Sequence, residues 1–258
     1  MWRNAITVGV GGWFFVVKVL VVNGSARMEK GSTAKVLEPF LDGVKDAGAV
    51  VELFYAKRLN VAPCTAEFHC WNEKPGQCYQ EDNMQLLYPK LREADILVLA
   101  TPVYIPLPGE MQNLINRLCP LINPILSWRD GRTRARFHDD VKIRKIVLLS
   151  VCGWWEIGNF GTVVRIVEEL AKDADVEFAG PILRPHAYLV AQDSEKAREV
   201  KKALRTAGCE LVTKGSIPQS IMDVISQPLV SEEEYRKSLN EDNEKLKNRL
   251  DKEQLLKP

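Results

Sequence analysis

The chain has 258 residues, 46% of them hydrophobic and 27% charged, with a formal net charge of +1. That composition supports a large buried core and excludes a disordered chain, and six cysteines over this length are no disulfide scaffold. The near-zero charge argues against a dedicated nucleic-acid or polyanion binder, and thiols without a secretory signal point to a reducing cytoplasm.

Residues 5–22 are mostly apolar, but Gly9, Gly11 and Gly12 weaken them as a membrane span and Lys18 interrupts them. No small-residue cleavage pattern follows. Residues 1–16 therefore read as an extension outside the domain, a start-site artefact with Val17 or a nearby valine as the first codon. A peptide containing Trp13 from the native host would refute that reading.

Residues 18–22, Lys-Val-Leu-Val-Val, form a β-branched run that reads as a buried strand. Asn23-Gly24-Ser25 breaks it with turn chemistry. Ser32 offers a hydroxyl N-cap, and Val36, Leu37, Phe40, Leu41 and Val44 follow at helical spacing. A strand, a small polar loop and a helix start make a ready anion site, because the first helical N–H groups are unpaired and the macrodipole is positive there. Ser25, Ser32 and Thr33 add hydroxyls, and Arg27 adds a fork that pairs with a phosphate. The stretch is neither a Walker A loop nor a G-x-G-x-x-G fingerprint. An ordinary strand-to-helix loop explains it equally well.

Pro39 inside the first helix is expected to kink it, at a cost of about 3 kcal/mol. Residues 50–55 read as the second strand, 60–82 as a loop carrying Cys64, Cys70 and Cys78, and 84–93 as a helix. Residues 96–100 are the next buried strand, which runs into the stiff apolar loop Thr101-Pro102-Val103-Tyr104-Ile105-Pro106. A helix over 110–118 follows. Residues 128–145 hold seven basic side chains and read as a solvated surface loop, with a dimer or nucleotide-phosphate contact second. Residues 146–151 are a buried strand ending at Cys152-Gly153-Trp154-Trp155. A helix over 162–171, a strand over 176–182 and a helix over 195–207 complete the core.

Alternating strands and helices imply α/β architecture with a parallel doubly wound sheet. Five strands suit the flavodoxin-like order 2-1-3-4-5, a three-layer sandwich whose ligand sits outside the strand carboxyl ends. The loops after strands one, three and four then converge on one crevice. One is polar and rich in hydroxyls, and two are apolar with aromatics. A ligand with a phosphate at one end and a flat ring at the other fits. The assigned boundaries are 1–16 for the extension, 17–215 for the flavodoxin-like domain and 216–258 for a charged helical tail. In the tail, Tyr235, Leu239, Leu246 and Leu250 form a stripe that suits packing on its own domain or a subunit contact.

These motifs carry a family resemblance. Asn23-Gly24-Ser25-Ala26-Arg27 with Gly31-Ser32-Thr33, Thr101-Pro102-Val103-Tyr104 with residues 109–117, residues 150–154, the spacing from Cys64 to Cys78, and Asp130-Gly131-Arg132-Thr133-Arg134 together resemble the NAD(P)H-dependent FMN reductase and iron–sulfur flavoprotein branch of the flavodoxin-like superfamily. The resemblance runs from about residue 18 to 240. It implies that Ser25, Arg27, Ser32 and Thr33 hold the FMN phosphate. It implies that Pro102, Val103, Tyr104 and Ile105 line one side of the isoalloxazine, and that Ser150, Cys152, Gly153 and Trp154 lie near its other edges. The chemistry would belong to the flavin, with NAD(P)H as co-substrate and no catalytic acid or base from the protein. Such proteins are dimers or tetramers, with the flavin near a subunit interface.

In the iron–sulfur members a compact cysteine run carries a four-iron cluster. Here the matching positions are Cys64, Glu67, Cys70 and Cys78, which leaves three thiolates where four are normal. The expectation is therefore no cluster and no metal, with a zinc site using His69 weaker still, and Cys119 and Cys209 as small core residues. The functional expectation is an FMN-dependent NAD(P)H oxidoreductase that reduces a small acceptor such as flavin or quinone. The alternative is a flavodoxin-like electron carrier with a protein redox partner and a degenerate iron–sulfur motif. A third is a binding protein for another phosphorylated ligand. No membrane or nucleic-acid partner is expected.

Overall fold

The computed structural model describes residues 5–6 and 14–255 of the chain. Of the expected N-terminal extension, residues 1–4 and 7–13, Trp13 included, lie outside the described residues, and Ala5–Ile6 pairs antiparallel with Phe14–Phe15.

The core sheet contains β1 (Lys18–Asn23), β2 (Val50–Tyr55), β3 (Ile96–Pro102), β6 (Lys145–Val151) and β7 (Glu177–Arg184), all parallel, in the spatial order β2-β1-β3-β6-β7. Between β3 and β6 lies a separate hairpin, β4 (Ile122–Arg129) with β5 (Arg132–Phe137). This corrects the expected strand numbering. The sheet has five parallel strands in a flavodoxin-like arrangement, but in chain order they run 2-1-3-6-7.

The corrected segment is the basic stretch read as a solvated loop. Asp130 and Gly131 both hold positive φ, 53° and 75°, and Arg129 pairs with Arg132 across them. Asp-Gly in a two-residue loop matches the twist of its flanking strands and is the strongest local hairpin signal. Its side chains are also not free. Arg134 is 3% exposed and lies between Glu169 and Asp173, while Arg132 pairs with Glu169 and Arg129 with Asp175.

The strands alternate as pleating requires. Val19 and Val21 face α1 (Ser32–Asp46) and α7 (Glu195–Lys214), while Leu20 and Val22 face α4 (Met84–Glu93), α5 (Gly109–Asn116) and α6 (Gly161–Ala174). Helix α1 runs unbroken through Pro39. It touches α7 backbone to backbone. A Cβ on Gly43 would stand 1.8 Å from the Arg205 carbonyl oxygen, and one on Gly208 would stand 2.1 Å from that of Phe40.

Short helices α2 (Ala56–Leu59) and α3 (His69–Asn72) punctuate the loop after β2. The tail forms α8 (Gln219–Ser226) and α9 (Glu232–Leu255). Ile225 and Tyr235 are buried against the domain and Leu239 is half-buried, whereas residues 240–249 are all exposed. The start of α9 therefore packs on its own domain. No described helix is long and apolar enough to cross a membrane.

Candidate functional site

Three loops leave the carboxyl ends of the adjacent strands β1, β3 and β6, and hydrogen bonds tie them into one rim. The Gly24 N–H donates to the Ala100 carbonyl at 2.8 Å, and the Val103 N–H donates to the Val151 carbonyl at 2.8 Å. The Ser150 hydroxyl donates to the Thr101 carbonyl at 3.0 Å.

The first loop curls round the buried Asn23. Its Oδ1 accepts the Ser25 N–H at 2.9 Å, and the Ser25 hydroxyl accepts the Arg27 N–H at 3.3 Å. The Asn23 Nδ2 is buried without a partner. A single 3-10 turn, Met28–Lys30, leads into α1. The N-cap is Gly31 rather than the expected Ser32, which is the first helical residue, and no side chain caps the helix. The Gly31 carbonyl already accepts the Ala34 N–H at 3.1 Å, and no side chain fits at that position, since a Cβ at Gly31 would stand 2.5 Å from the Ser25 Oγ. The result strengthens an anion site, because the first N–H groups of α1 meet no intramolecular side-chain acceptor. Ser25 and Thr33 are buried, Ser32 is half-buried and Arg27 is exposed. Gly24 allows a second close approach: a Cβ there would lie 2.7 Å from the Met111 Cε.

The second loop is apolar and open. Pro102 and Val103 are half-buried, whereas Tyr104 is 69% and Ile105 95% exposed. The Ile105–Pro106 peptide is cis, and the Tyr104 N–H donates to the Pro106 carbonyl at 3.0 Å.

The third loop separates the expected contacts into two levels. Ser150 and Cys152 are buried beneath the rim, where the Cys152 Sγ accepts the Trp154 N–H at 3.3 Å and burial pushes its thiol pKa up. Gly153 and Trp154 are exposed on top. Two neighbours hold this loop in place. The Tyr235 hydroxyl donates to the Gly153 carbonyl, and the His186 N–H donates to the Trp154 carbonyl at 2.8 Å.

Beneath lies a cluster that sequence reasoning missed. Arg184 is fully buried, and its guanidinium donates to the Pro185 carbonyl at 2.7 Å, the Ile225 carbonyl at 2.6 Å and the His186 Nε2 at 2.8 Å. That nitrogen also accepts the Leu229 N–H at 3.1 Å, so the ring proton sits on Nδ1. Burial, with Arg184 beside it, lowers the His186 pKa to about 4. The Trp155 ring stacks on the His186 ring, and the Tyr235 ring tilts against it. No sequence spacing marks this group, because its members come from β7, the loop after β6 and the tail.

A second feature lies at the far end of α5. A cavity of about 270 Å³ is lined by Cys64, Cys70, Cys78 and Cys119, with Glu67 and Arg117. Cys119 is therefore not the small core residue expected. Its sulfur is 3.8 Å from that of Cys70, and burial pushes its thiol pKa up to about 12. Cys209 lies elsewhere, half-buried on α7. His69 pairs with Glu73 at 3.1 Å. Among the described residues no three His, Cys, Asp or Glu side chains converge on a single ion.

Comparison with known proteins identifies relatives of the chain. Residues 17–136 match the model of the NADPH-dependent FMN reductase family. An iron–sulfur flavoprotein of Archaeoglobus fulgidus is 32% identical over 102 residues, 39% of this chain and 48% of the relative. One of Methanocaldococcus jannaschii is 30% identical over 139 residues, 52% of this chain and 69% of the relative. The chain spans about half the length of the first of these relatives. The NAD(P)H:quinone oxidoreductase of Methanothermobacter marburgensis shares the fold, with a TM-score of 0.54 at 18% identity over 76% of this chain and 97% of that one. The chain belongs to the iron–sulfur flavoprotein family and has a flavodoxin-like fold.

Proposed function

We propose that this chain is an FMN-dependent NAD(P)H oxidoreductase that passes electrons through bound flavin to a small acceptor such as a quinone or free flavin. The observation that carries the reading is the rim itself. An uncapped helix start stands at one end and two uncovered apolar loops stand beside it, all on three neighbouring strands.

The residues present fit FMN. The N–H groups at the start of α1, with Ser25, Ser32, Thr33 and the exposed Arg27, suit the phosphate. The unpartnered Asn23 Nδ2 holds a further donor beneath that loop. Pro102, Val103, Tyr104 and Ile105 offer one wall to the ring, and Gly153 and Trp154 another. Ser150 and Cys152 act from below by fixing the backbone of those walls. Bound flavin supplies hydride acceptance from a nicotinamide and release of electrons singly or in pairs. The protein's share is to orient the ring, exclude water from its face and bind its tail. The flavin-binding unit is 17–215, with the start of α9 bracing one wall.

The basic hairpin offers no selective pocket for a 2′-phosphate, because Arg129, Arg132 and Arg134 are taken up by carboxylates of α6 and of Asp175, which follows it. The chain self-associates as a homodimer or tetramer. The support is uncovered apolar surface: Ile125, Leu126 and Trp128 on the hairpin, with Tyr104, Ile105 and Trp154 on the rim. The same exposed rim favours the second reading, an electron carrier that docks a redox protein.

An absorbance spectrum of the purified protein before and after anaerobic NAD(P)H tests the proposal. A yellow protein that bleaches and then turns over quinone supports the reductase. Bound flavin with negligible nicotinamide oxidation supports the carrier, and a colourless protein unable to bind added FMN refutes both.

A further inference from the structure

Counted along the chain, the cysteine segment falls one thiol short of a cluster motif. Folding changes that count. Cys64 and Cys70 belong to the loop after β2, and Cys78 precedes α4. Cys119 comes from a distant part of the chain, just past α5, yet all four line one cavity of about 270 Å³. The Cys70 and Cys119 sulfurs are in contact at 3.8 Å. We infer that Cys119, and not Glu67, completes a four-thiolate cradle with Cys64, Cys70 and Cys78 for a four-iron, four-sulfide cluster.

The donor set fits that group. Cubane clusters take four cysteine thiolates, and sulfur ligands around a compact cavity select iron–sulfur or zinc over harder ions. No three of these side chains converge on one ion, and the Cys70 and Cys119 sulfurs, 3.8 Å apart, have to separate to bond different irons. A cage of four irons spaces its thiolates more widely. On binding, each thiol gives up its proton and its sulfur bonds one iron. Glu67 is the poorer partner. It offers hard oxygen, and its exposed carboxylate already accepts the Thr65 hydroxyl.

The cavity wall carries an independent sign of a missing acceptor. Arg117 is 1% exposed, and its terminal nitrogens bond Asp82, Gln80 and the Ala62 carbonyl. Its Nε is buried with no partner at all. Hydrogen bonds to cluster sulfurs are a principal way proteins set cluster potential, and this unpartnered N–H on a lining residue would be available for one. Helix α5 links the cavity to the apolar rim loop, and its eight residues span roughly 12 Å.

The test uses the full chain, loaded anaerobically with equal amounts of ferric and ferrous iron and with sulfide, which together match the oxidation level of the cluster, and then desalted. Iron and acid-labile sulfide are measured, with electron paramagnetic resonance after dithionite reduction. Wild type and Glu67→Gln should each hold about four irons and four sulfides per chain, and Cys119→Ala about three irons or none. Full loading of Cys119→Ala, loss in Glu67→Gln, zinc without sulfide, or no metal in wild type each overturns the assignment. A wild-type measurement covers the case in which Cys119→Ala does not fold. Alkylation mapped by mass spectrometry should find Cys64, Cys70, Cys78 and Cys119 protected in the loaded protein and released by chelation. Equal labelling of Cys119 in both states overturns the inference. None of these readouts depends on flavin, so failure here is distinct from failure of the reductase reading.

Discussion

Tyr235 donates its hydroxyl proton to the carbonyl oxygen of Gly153, which joins the start of α9 to the third loop of the rim. The tail is thus part of the scaffold that presents Gly153 and Trp154. Tyr235→Phe removes the bond and keeps the ring packed on His186. Stability should fall by about 1 kcal/mol, while FMN affinity falls several-fold as the loop loosens. Denaturant unfolding and a fluorescence titration with FMN measure the two separately. Unchanged affinity would mean that the loop is set without the tail.

The phosphate end makes two contrasting demands. Gly31→Ala places a methyl 2.5 Å from the Ser25 Oγ and should weaken FMN binding by about tenfold or more, roughly 1.4 kcal/mol. Arg27→Ala, at an exposed site, should lower affinity by a similar factor without moving the melting temperature. Its penalty should shrink as salt rises, because an exposed charge is screened. Binding titrations at low and high ionic strength decide between the steric and the electrostatic effect.

The contact of α1 with α7 leaves no room for a methyl group. Gly208→Ala sets a Cβ 2.1 Å from the Phe40 carbonyl oxygen and 2.8 Å from the Val44 nitrogen. Overpacking of this kind should cost about 3 kcal/mol, read as a lower denaturation midpoint at unchanged slope. Gly131→Ala, with open space around its Cβ but φ of 75°, should cost about 1 kcal/mol. An equal loss in both would contradict the packing argument.

His186 makes stability depend on pH. Its pKa is held at about 4 against a usual 6.5, by burial first and then by Arg184. Between those values the unfolded chain binds the extra proton and the folded one does not. Stability is therefore complete above pH 6.5 and falls as pH drops towards 4, by on the order of 3 kcal/mol. Urea unfolding across this range, compared with His186→Gln, isolates the contribution. A variant with the same pH slope as wild type would exclude His186 as its source.

Much of this architecture was legible in local pattern. Residues 18–22 announce β1 by branching and apolarity, and the spacing of Val36, Leu37, Phe40 and Val44 marks the buried face of α1. The three rim loops follow from topology, since their strands are neighbours in the sheet. The hairpin after β3 was also written in the chain, as Asp130-Gly131, but the density of arginines masked it. Charge suggested solvent, whereas Arg134 is buried between carboxylates of α6. Gly31 as N-cap was hidden because a glycine offers no capping side chain, and the Ser25 hydroxyl that excludes a Cβ there lies across the loop. The Arg184–His186 cluster and the partnership of Cys119 with Cys70 depend on long-range packing, which no spacing encodes.

Two close approaches that leave no room for a Cβ lie along helix α1, at its N-cap Gly31 beside Ser25 and at Gly43, near its other end, against Arg205. A rod of 15 residues is roughly 22 Å long, so a small sideways push near one tip swings the opposite tip. A larger residue at either position should push the rod sideways and re-aim its leading amide groups. Under the proposed phosphate assignment, FMN affinity should therefore respond to a substitution at Gly43, a place the anion never reaches.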